Sequence, residues 1–157
     1  MQIKSFLARP YASIVHSRLR KGMTTAVADQ QAVLQQLLKV GSKTFFGKEH
    51  GLPQVKTYEE YKQAVPIRDY EAFIPYIDKI KNGEQNVLWK GKPIYFAKTS
   101  GTTSGVKYIP ISKESISNHI NGARDALLCY MAESGNTSFA NGTMIFISGS
   151  PDLERIG

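Results

Sequence analysis

The sequence predicts an α/β domain that is incomplete at residue 157, helical over about residues 1–85 and strand-bearing over 86–157. Three observations predict it. Apolar residues recur at helical spacing from Ile3 to Lys81, interrupted by proline, glycine and capping residues. The order then becomes strand, loop, strand, helix, strand, with Ile94-Tyr95-Phe96-Ala97 and Tyr108-Ile109-Pro110-Ile111 rich in β-branched and aromatic residues. Last, Thr143-Met144-Ile145-Phe146-Ile147-Ser148 is nearly continuous apolar sequence suited to a strand covered on both faces, so further strands are expected beyond Gly157.

Taken in order, Phe6, Ala8, Tyr11, Ile14, Val15 and Leu19 give a helical pattern in which Pro10 either starts a second helix or kinks one. Thr25 is placed to cap a longer helix whose stripe is Val27, Leu34 and Leu38, widened by Val33 and Leu37; Gly41 ends or interrupts it before Phe45 and Phe46. Thr57-Tyr58-Glu59-Glu60 has the form of a capping box, and the helix it opens must stop near Val65 because Pro66 disfavours α conformation in the residue before it. Asp69 is the expected cap of a helix from Tyr70 to Lys81, bent at Pro75, closed by Asn82-Gly83 and apolar along Phe73, Ile77 and Ile80. Asp69 and Glu71 invite an acid/base reading, but a first-turn position favours negative charge, and the structural role is the expected one. Trp89 reads as a core anchor. Ser112 should cap the longest helix, Lys113 to Glu133, with Ile116, Ile120, Ala123, Leu127 and Met131 as its buried face and Ser134-Gly135-Asn136 as its end. Asn141-Gly142 makes a turn into the final apolar run.

With 157 residues and 41% hydrophobic content the chain can bury one ordinary core. The single cysteine, Cys129, excludes an intrachain disulfide and a multi-cysteine metal site, and fits a reducing compartment as a small core residue. His16, His50 and His119 have no partners at metal spacing and read as structural or surface residues. Arg9, Arg18 and Arg20 break the first twenty residues before any signal-like apolar run forms, and no stretch approaches the length of a membrane span, so a cytoplasmic location is expected. The whole +7 net charge falls within residues 1–56. Its basic residues are scattered without interleaved aromatics or a reading motif, which points to a solvated face and away from specific nucleic-acid binding.

Between the two predicted strands, Lys98-Thr99-Ser100-Gly101-Thr102-Thr103-Ser104-Gly105-Val106-Lys107 has no apolar residue from Thr99 to Gly105. Gly101 and Gly105 permit positive φ and a close backbone approach, so that N–H groups can converge on an anion. Thr99, Ser100, Thr102, Thr103 and Ser104 bring O–H donors, and Lys107 a point charge suited to phosphate. A solvated Gly/Ser/Thr turn is the plain alternative. The stretch is not a Walker loop, because Val106 separates the second glycine from the lysine and no helix opens there.

Ser100-Gly101-Thr102-Thr103 with Lys107 resembles the phosphate loop of the adenylate-forming superfamily. The longer run Thr99 to Gly105 with Lys107 and Ile109-Pro110 is most similar to the auxin-responsive promoter (GH-three) family of acyl-acid amido synthetases. Val65-Pro66-Ile67-Arg68-Asp69-Tyr70, Pro75-Tyr76-Ile77 and Asn82-Gly83-Glu84 resemble the segment preceding the loop in that family. The resemblance implies an N-terminal part, residues 1–157, of a large adenylating domain, with helices packed on the first strands of its sheet. It implies ATP and Mg2+ as cofactors, and a small carboxylic acid and an amino acid as substrates. A carboxylate would be adenylated and the adenylate then converted to an amide. It makes Thr99, Ser100, Gly101, Thr102, Thr103, Ser104, Gly105 and Lys107 the expected phosphate contacts. Arg124, at the edge of the predicted face of the long helix, is a candidate for the substrate carboxylate, with Asp125 and solvent as alternative partners. Two rivals stand beside this reading: an acyl-CoA synthetase-like thioester ligase, and a non-catalytic module that binds a partner through its basic N-terminal half.

Overall fold

The computed structural model describes residues 3–99, 105–141 and 143. The chain divides into two compact units, one built on Ala28–Ile116 and the other on Met1–Val27 with Ser117–Arg155. The described residues are mostly helical with one two-stranded antiparallel sheet, as an incomplete α/β domain would be.

In the first unit, helix α2 (Ala26–Gly41) buries Leu38 and Gly41, while Val27, Val33 and Leu37 of the predicted stripe stay exposed. Gly41 does end this helix. A short helix α3 (Phe45–Glu49) follows, with Thr44 as its cap: the buried hydroxyl accepts from Gly47 N at 3.0 Å and donates to Gly41 O at 2.7 Å. The first two amides of α3, which have no partner inside a helix, donate instead to Asn86 O at 2.7 Å and Val87 O at 3.0 Å. That pairing seats Val87, 1% exposed, in a core with Tyr76 and Ile80, against which Phe46, Phe73, Leu88 and Phe96 are packed.

Helix α4 (Tyr58–Ala64) carries the predicted capping box, and Val65 turns to extended backbone before Pro66. Asp69 Oδ1 accepts from Ala72 N at 3.1 Å, the capping role expected of it. The next segment differs from the prediction. A 3-10 turn, Glu71–Phe73, precedes helix α5 (Ile74–Lys81), so that Pro75 sits in the first turn of α5 and does not bend a longer helix. The reason is that proline has no N–H to donate, and only the first turn has no use for one. The buried side of α5 is Tyr76, Ile77 and Ile80. Asn82-Gly83 ends it as predicted: Gly83 has φ of 91°, Glu84 N donates to Lys79 O at 3.0 Å and Gly83 N to Ile80 O at 3.0 Å, a Schellman closure.

Strands β1 (Tyr95–Lys98) and β2 (Tyr108–Ile111) pair antiparallel in the register Tyr95 with Ile111, Phe96 with Pro110, Ala97 with Ile109 and Lys98 with Tyr108. Phe96 and Tyr108 meet edge to face, 6.3 Å between centroids, on the side that turns toward the core around α5.

In the second unit, helix α1 (Ile3–Met23) runs unbroken through Pro10. Among the described side chains of α1, Ala12 and Val15, one helical turn apart, are buried and meet Leu128 and Met131 of helix α6 (Lys113–Ser134). Tyr11, Ile14 and Leu19 are exposed. The buried side of α6 is therefore displaced from the predicted one: Ile120 and Leu127 are exposed, and Leu128 takes the core position. Neither helix has one clean apolar stripe, so the partner decides which of two neighbouring rows is covered. A contact of His16 Nε2 with Glu133 Oε1 at 2.7 Å and an ion pair of Arg18 with Asp125 at 3.4 Å join the same two helices.

Ser112 caps α6 as expected, in a reciprocal box with Ser115: Ser115 N donates to Ser112 Oγ at 3.0 Å and Ser112 N to Ser115 Oγ at 3.1 Å. Gly135, φ 68°, closes the other end with its N–H on Met131 O at 3.0 Å. Cys129 is half-buried. A 3-10 turn covers Ser138–Asn141. Of the strand predicted over residues 143–148, Thr143 carries no strand structure and the rest lies outside the described residues.

Candidate functional site

The hydroxyl- and glycine-rich stretch is the connection of the β1–β2 hairpin, and its neck is closed by two residues. Thr99 N donates to Lys107 O at 3.0 Å, and Lys107 N donates to the side-chain oxygen of Thr99 at 3.2 Å. A hydroxyl here stands where a regular ladder would use a carbonyl. Thr99 is thus half neck and half ligand candidate, since its oxygen accepts from the backbone and a hydroxyl that accepts can donate as well. Gly105 has φ of 77°, in the left-handed region that glycine adopts without a steric cost. Ser100, Gly101, Thr102, Thr103 and Ser104 lie outside the described residues.

The neck is held from outside by Tyr70, the residue after the Asp69 cap. Because the neck pair Thr99 and Lys107 turns inward across the hairpin, Tyr108, one residue on, presents its N–H and C=O to the outer edge. Tyr70 Oη takes both: it accepts from Tyr108 N at 2.7 Å and donates to Tyr108 O at 3.3 Å. An edge that would otherwise expose a donor and an acceptor is satisfied by one phenol. The ring of Tyr70 lies under Lys107, whose Nζ is 5.4 Å from its centroid, and the ring of Tyr108 lies under Lys81, whose Nζ is 4.4 Å from its centroid. Two ammonium groups therefore rest on aromatic faces beside the loop neck, attracted by the ring quadrupoles.

Reading the sequence alone misses Tyr70, Tyr108 and Lys81. No spacing rule brings Tyr70 to Tyr108 across 38 residues. The only local signal is that Asp69 fixes the start of the turn from which Tyr70 projects.

Arg124 belongs to the other unit and lies on α6. Its Nε and Nη2 donate to Asp125 Oδ1 at 2.9 and 2.7 Å, and these bonds raise its pKa above the ordinary arginine value. Asp125 Oδ2 also receives Arg18. Asp125, one of the alternatives to a substrate carboxylate, is thus in contact with Arg124, whose side chain is also exposed to solvent.

Among the described residues no group of three or more His, Cys, Asp or Glu could hold a metal ion, and no helix is long and apolar enough to cross a membrane. His50 stacks on Phe46, 4.0 Å between centroids, and takes part in a network with Arg68, Tyr76 and Glu49 that belongs to the packing beneath α5.

Comparison with known proteins agrees with the two sequence segments. Residues 15–154 match the family model described as GH3 family N-terminal domain. Indole-3-acetic acid-amido synthetase GH3.15 of Arabidopsis thaliana is 35% identical over 106 residues, which cover 66% of this chain and 18% of that protein. Indole-3-acetic acid-amido synthetase GH3.6 of Arabidopsis thaliana is 32% identical over 97 residues, 60% of this chain and 16% of that protein. Jasmonoyl–L-amino acid synthetase JAR4 of Nicotiana attenuata is 31% identical over 87 residues, 54% of this chain and 15% of that protein. The chain thus spans less than a fifth of the length of these relatives.

Proposed function

The chain belongs to the GH3 family, and from that premise we propose that it is the N-terminal part of the adenylating domain of an ATP-dependent acyl-acid amido synthetase. Relatives named as synthetases of indole-3-acetic acid and jasmonoyl amides support an acid and an amino acid as the two substrates joined. A cytoplasmic location goes with this reading, since both ATP and the single reduced thiol of Cys129 suit that compartment.

The reaction has two steps. A carboxylate oxygen of the acid attacks the α-phosphorus of ATP and the bond to the β-phosphate oxygen breaks, giving an acyl-adenylate and pyrophosphate. The amine of the amino acid, having lost a proton, then attacks the activated carbonyl carbon, AMP leaves with the electron pair of the broken C–O bond, and the nitrogen releases a second proton to solvent as the amide forms. Charge builds on the departing pyrophosphate in the first step, and stabilising it is a matter of donors already in place.

In this reading the hairpin connection supplies those donors. Thr99, Ser100, Thr102, Thr103 and Ser104 offer hydroxyls to the β- and γ-phosphates, Gly101 and Gly105 let backbone N–H groups come close, and Lys107 adds positive charge. Magnesium would accompany the nucleotide as its counterion. The observation that carries the proposal is the hairpin neck closed by Thr99 and Lys107 in a chain of this family, which keeps the connection together as a unit. Arg124 would serve the acid's carboxylate, and to do so it must exchange Asp125 for the substrate.

The test is ATP–pyrophosphate exchange by the complete protein with its acid. The double variant Thr102→Ala/Thr103→Ala should exchange at least tenfold more slowly, as loss of two charge-assisted hydrogen bonds implies. Unchanged exchange would remove the loop from the mechanism.

A further inference from the structure

We propose that Tyr70 is the positioning residue of the phosphate loop, fixing with its hydroxyl the point where the loop re-enters β2 and with its ring the place of the Lys107 ammonium. The inference rests on the reading of residues 99–107 as the site for the ATP phosphates.

Three observations converge on this one side chain. Its oxygen bonds both backbone groups of Tyr108, at 2.7 and 3.3 Å, so the first residue of β2 is clamped in position and in orientation. Its ring carries Lys107 Nζ at 5.4 Å. The residue it clamps adjoins the neck, because Lys107 is also the partner of Thr99 in both closing bonds. The loop's C-terminal stem is therefore fixed at three successive points: the Lys107 backbone by Thr99, the Lys107 side chain by the Tyr70 face, and the Tyr108 backbone by the Tyr70 hydroxyl.

An aromatic face is a suitable seat for a phosphate-binding lysine. A carboxylate would hold the ammonium more tightly and compete with the phosphate for it. A ring quadrupole attracts the cation weakly and leaves its N–H donors pointing outward. Tyr70 itself need not touch the nucleotide, since it acts through Lys107 and the peptide of Tyr108. The same arrangement repeats one residue further on, where Tyr108 seats Lys81, so the neck stands beside two cations that the aromatic pair holds.

Tyr70→Phe separates the two parts of this role, because it keeps the ring and removes the hydroxyl; Tyr70→Leu removes both. In the complete protein, the KM for ATP in pyrophosphate exchange and the affinity for the non-hydrolysable α,β-methylene-ATP should weaken about tenfold in Tyr70→Phe, as loss of both hydrogen bonds to Tyr108 implies. They should weaken further in Tyr70→Leu, with the KM for the acid unchanged in both. Equal weakening for acid and nucleotide, or no weakening for either, overturns the proposal.

Two controls keep the outcomes apart. If Thr102→Ala/Thr103→Ala weakens α,β-methylene-ATP and Tyr70→Phe does not, the loop stands and the role of Tyr70 falls. If neither variant weakens it, the phosphate-loop reading itself has failed. Should the Tyr70 variants not fold, ring-labelled tyrosine in the unaltered protein still decides. Saturating α,β-methylene-ATP must shift the Tyr70 ring resonances as Lys107 turns to phosphate, and unshifted resonances overturn the proposal.

Discussion

Tyr76 donates its phenolic hydrogen to Glu49 Oε2 at 2.6 Å from a ring only 7% exposed, and thereby ties helix α5 to helix α3. Arg68 Nη1 reaches the same phenol oxygen at 3.4 Å, while its Nη2 meets His50 Nε2. The other ring nitrogen of His50 lies 2.8 Å from Phe46 O. Since that carbonyl can only accept and Arg68 can only donate, the two contacts fit the imidazole tautomer that carries its hydrogen on Nδ1.

Burial first, and the bond to Glu49 next, raise the Tyr76 pKa above the ordinary tyrosine value. The folded state then holds the phenolic proton more firmly than the unfolded state does. Its contribution to stability is complete below the unfolded tyrosine pKa of about 10 and is lost as pH rises through the folded value. Urea unfolding should therefore show stability falling above about pH 10, and Tyr76→Phe should remove the part of that fall due to this residue. At neutral pH the same variant should lose about 1 kcal/mol.

Among the described glycines, Gly47 makes the closest approach to another stretch of backbone. A Cβ built on it would stand 2.0 Å from Gly41 O and 2.7 Å from Gly41 C, both main-chain atoms that cannot swing aside. Gly47→Ala should cost about 3 kcal/mol in denaturant unfolding as α3 is pushed off its Thr44 cap. A loss below 1 kcal/mol would mean that α3 can shift without consequence.

Glu60 accepts from Lys56 N at 2.6 Å and Thr57 N at 3.1 Å, and these backbone bonds lower its pKa. The sign is opposite to that of Tyr76. The contribution is present above the ordinary glutamate pKa and is lost as pH falls through the lowered one. A carboxyl NMR titration should place the Glu60 midpoint below those of unpaired glutamates, and Thr57→Ala should move it back upward. An unmoved midpoint would mean that the capping box does not persist in solution.

These caps were the part of the fold most legible in the sequence. Thr57 with Glu60, Asp69, Asn82-Gly83 and Ser112 each act within five residues, so the sequence neighbours contain the whole interaction. The choice of Leu128 over Leu127 was not legible, because both lie on apolar rows of α6 and only the meeting with Ala12 and Val15 selects one. Nor was the placement of Pro75, which two different local rules could accommodate. At the candidate site, Gly105 with its positive φ and the strands on either side were foreseen. Tyr70 was not, because its partner lies 38 residues away and its value comes from satisfying an edge that exists only once the hairpin has formed.

Gly105→Ala isolates the backbone requirement of the loop. A Cβ there would meet nothing within 4 Å, so the effect of the substitution comes from φ of 77° alone. The cost should be about 1–2 kcal/mol. It should appear mainly as a higher KM for ATP, with the melting temperature of the complete protein little changed.

Arg124→Gln addresses the acid. If the guanidinium leaves Asp125 for the substrate carboxylate, the KM for the acid should rise about tenfold and that for ATP should stay as it is, since a charge-assisted bond is lost only to the acid. Unchanged acid kinetics would leave Arg124 as the partner of Asp125 alone.

The most direct test of the phosphate-loop assignment is a crystal structure of the complete protein with α,β-methylene-ATP bound. The predicted result is β- and γ-phosphate oxygens within hydrogen-bond distance of the Thr99–Lys107 segment. A triphosphate held elsewhere, with that segment untouched, would contradict it.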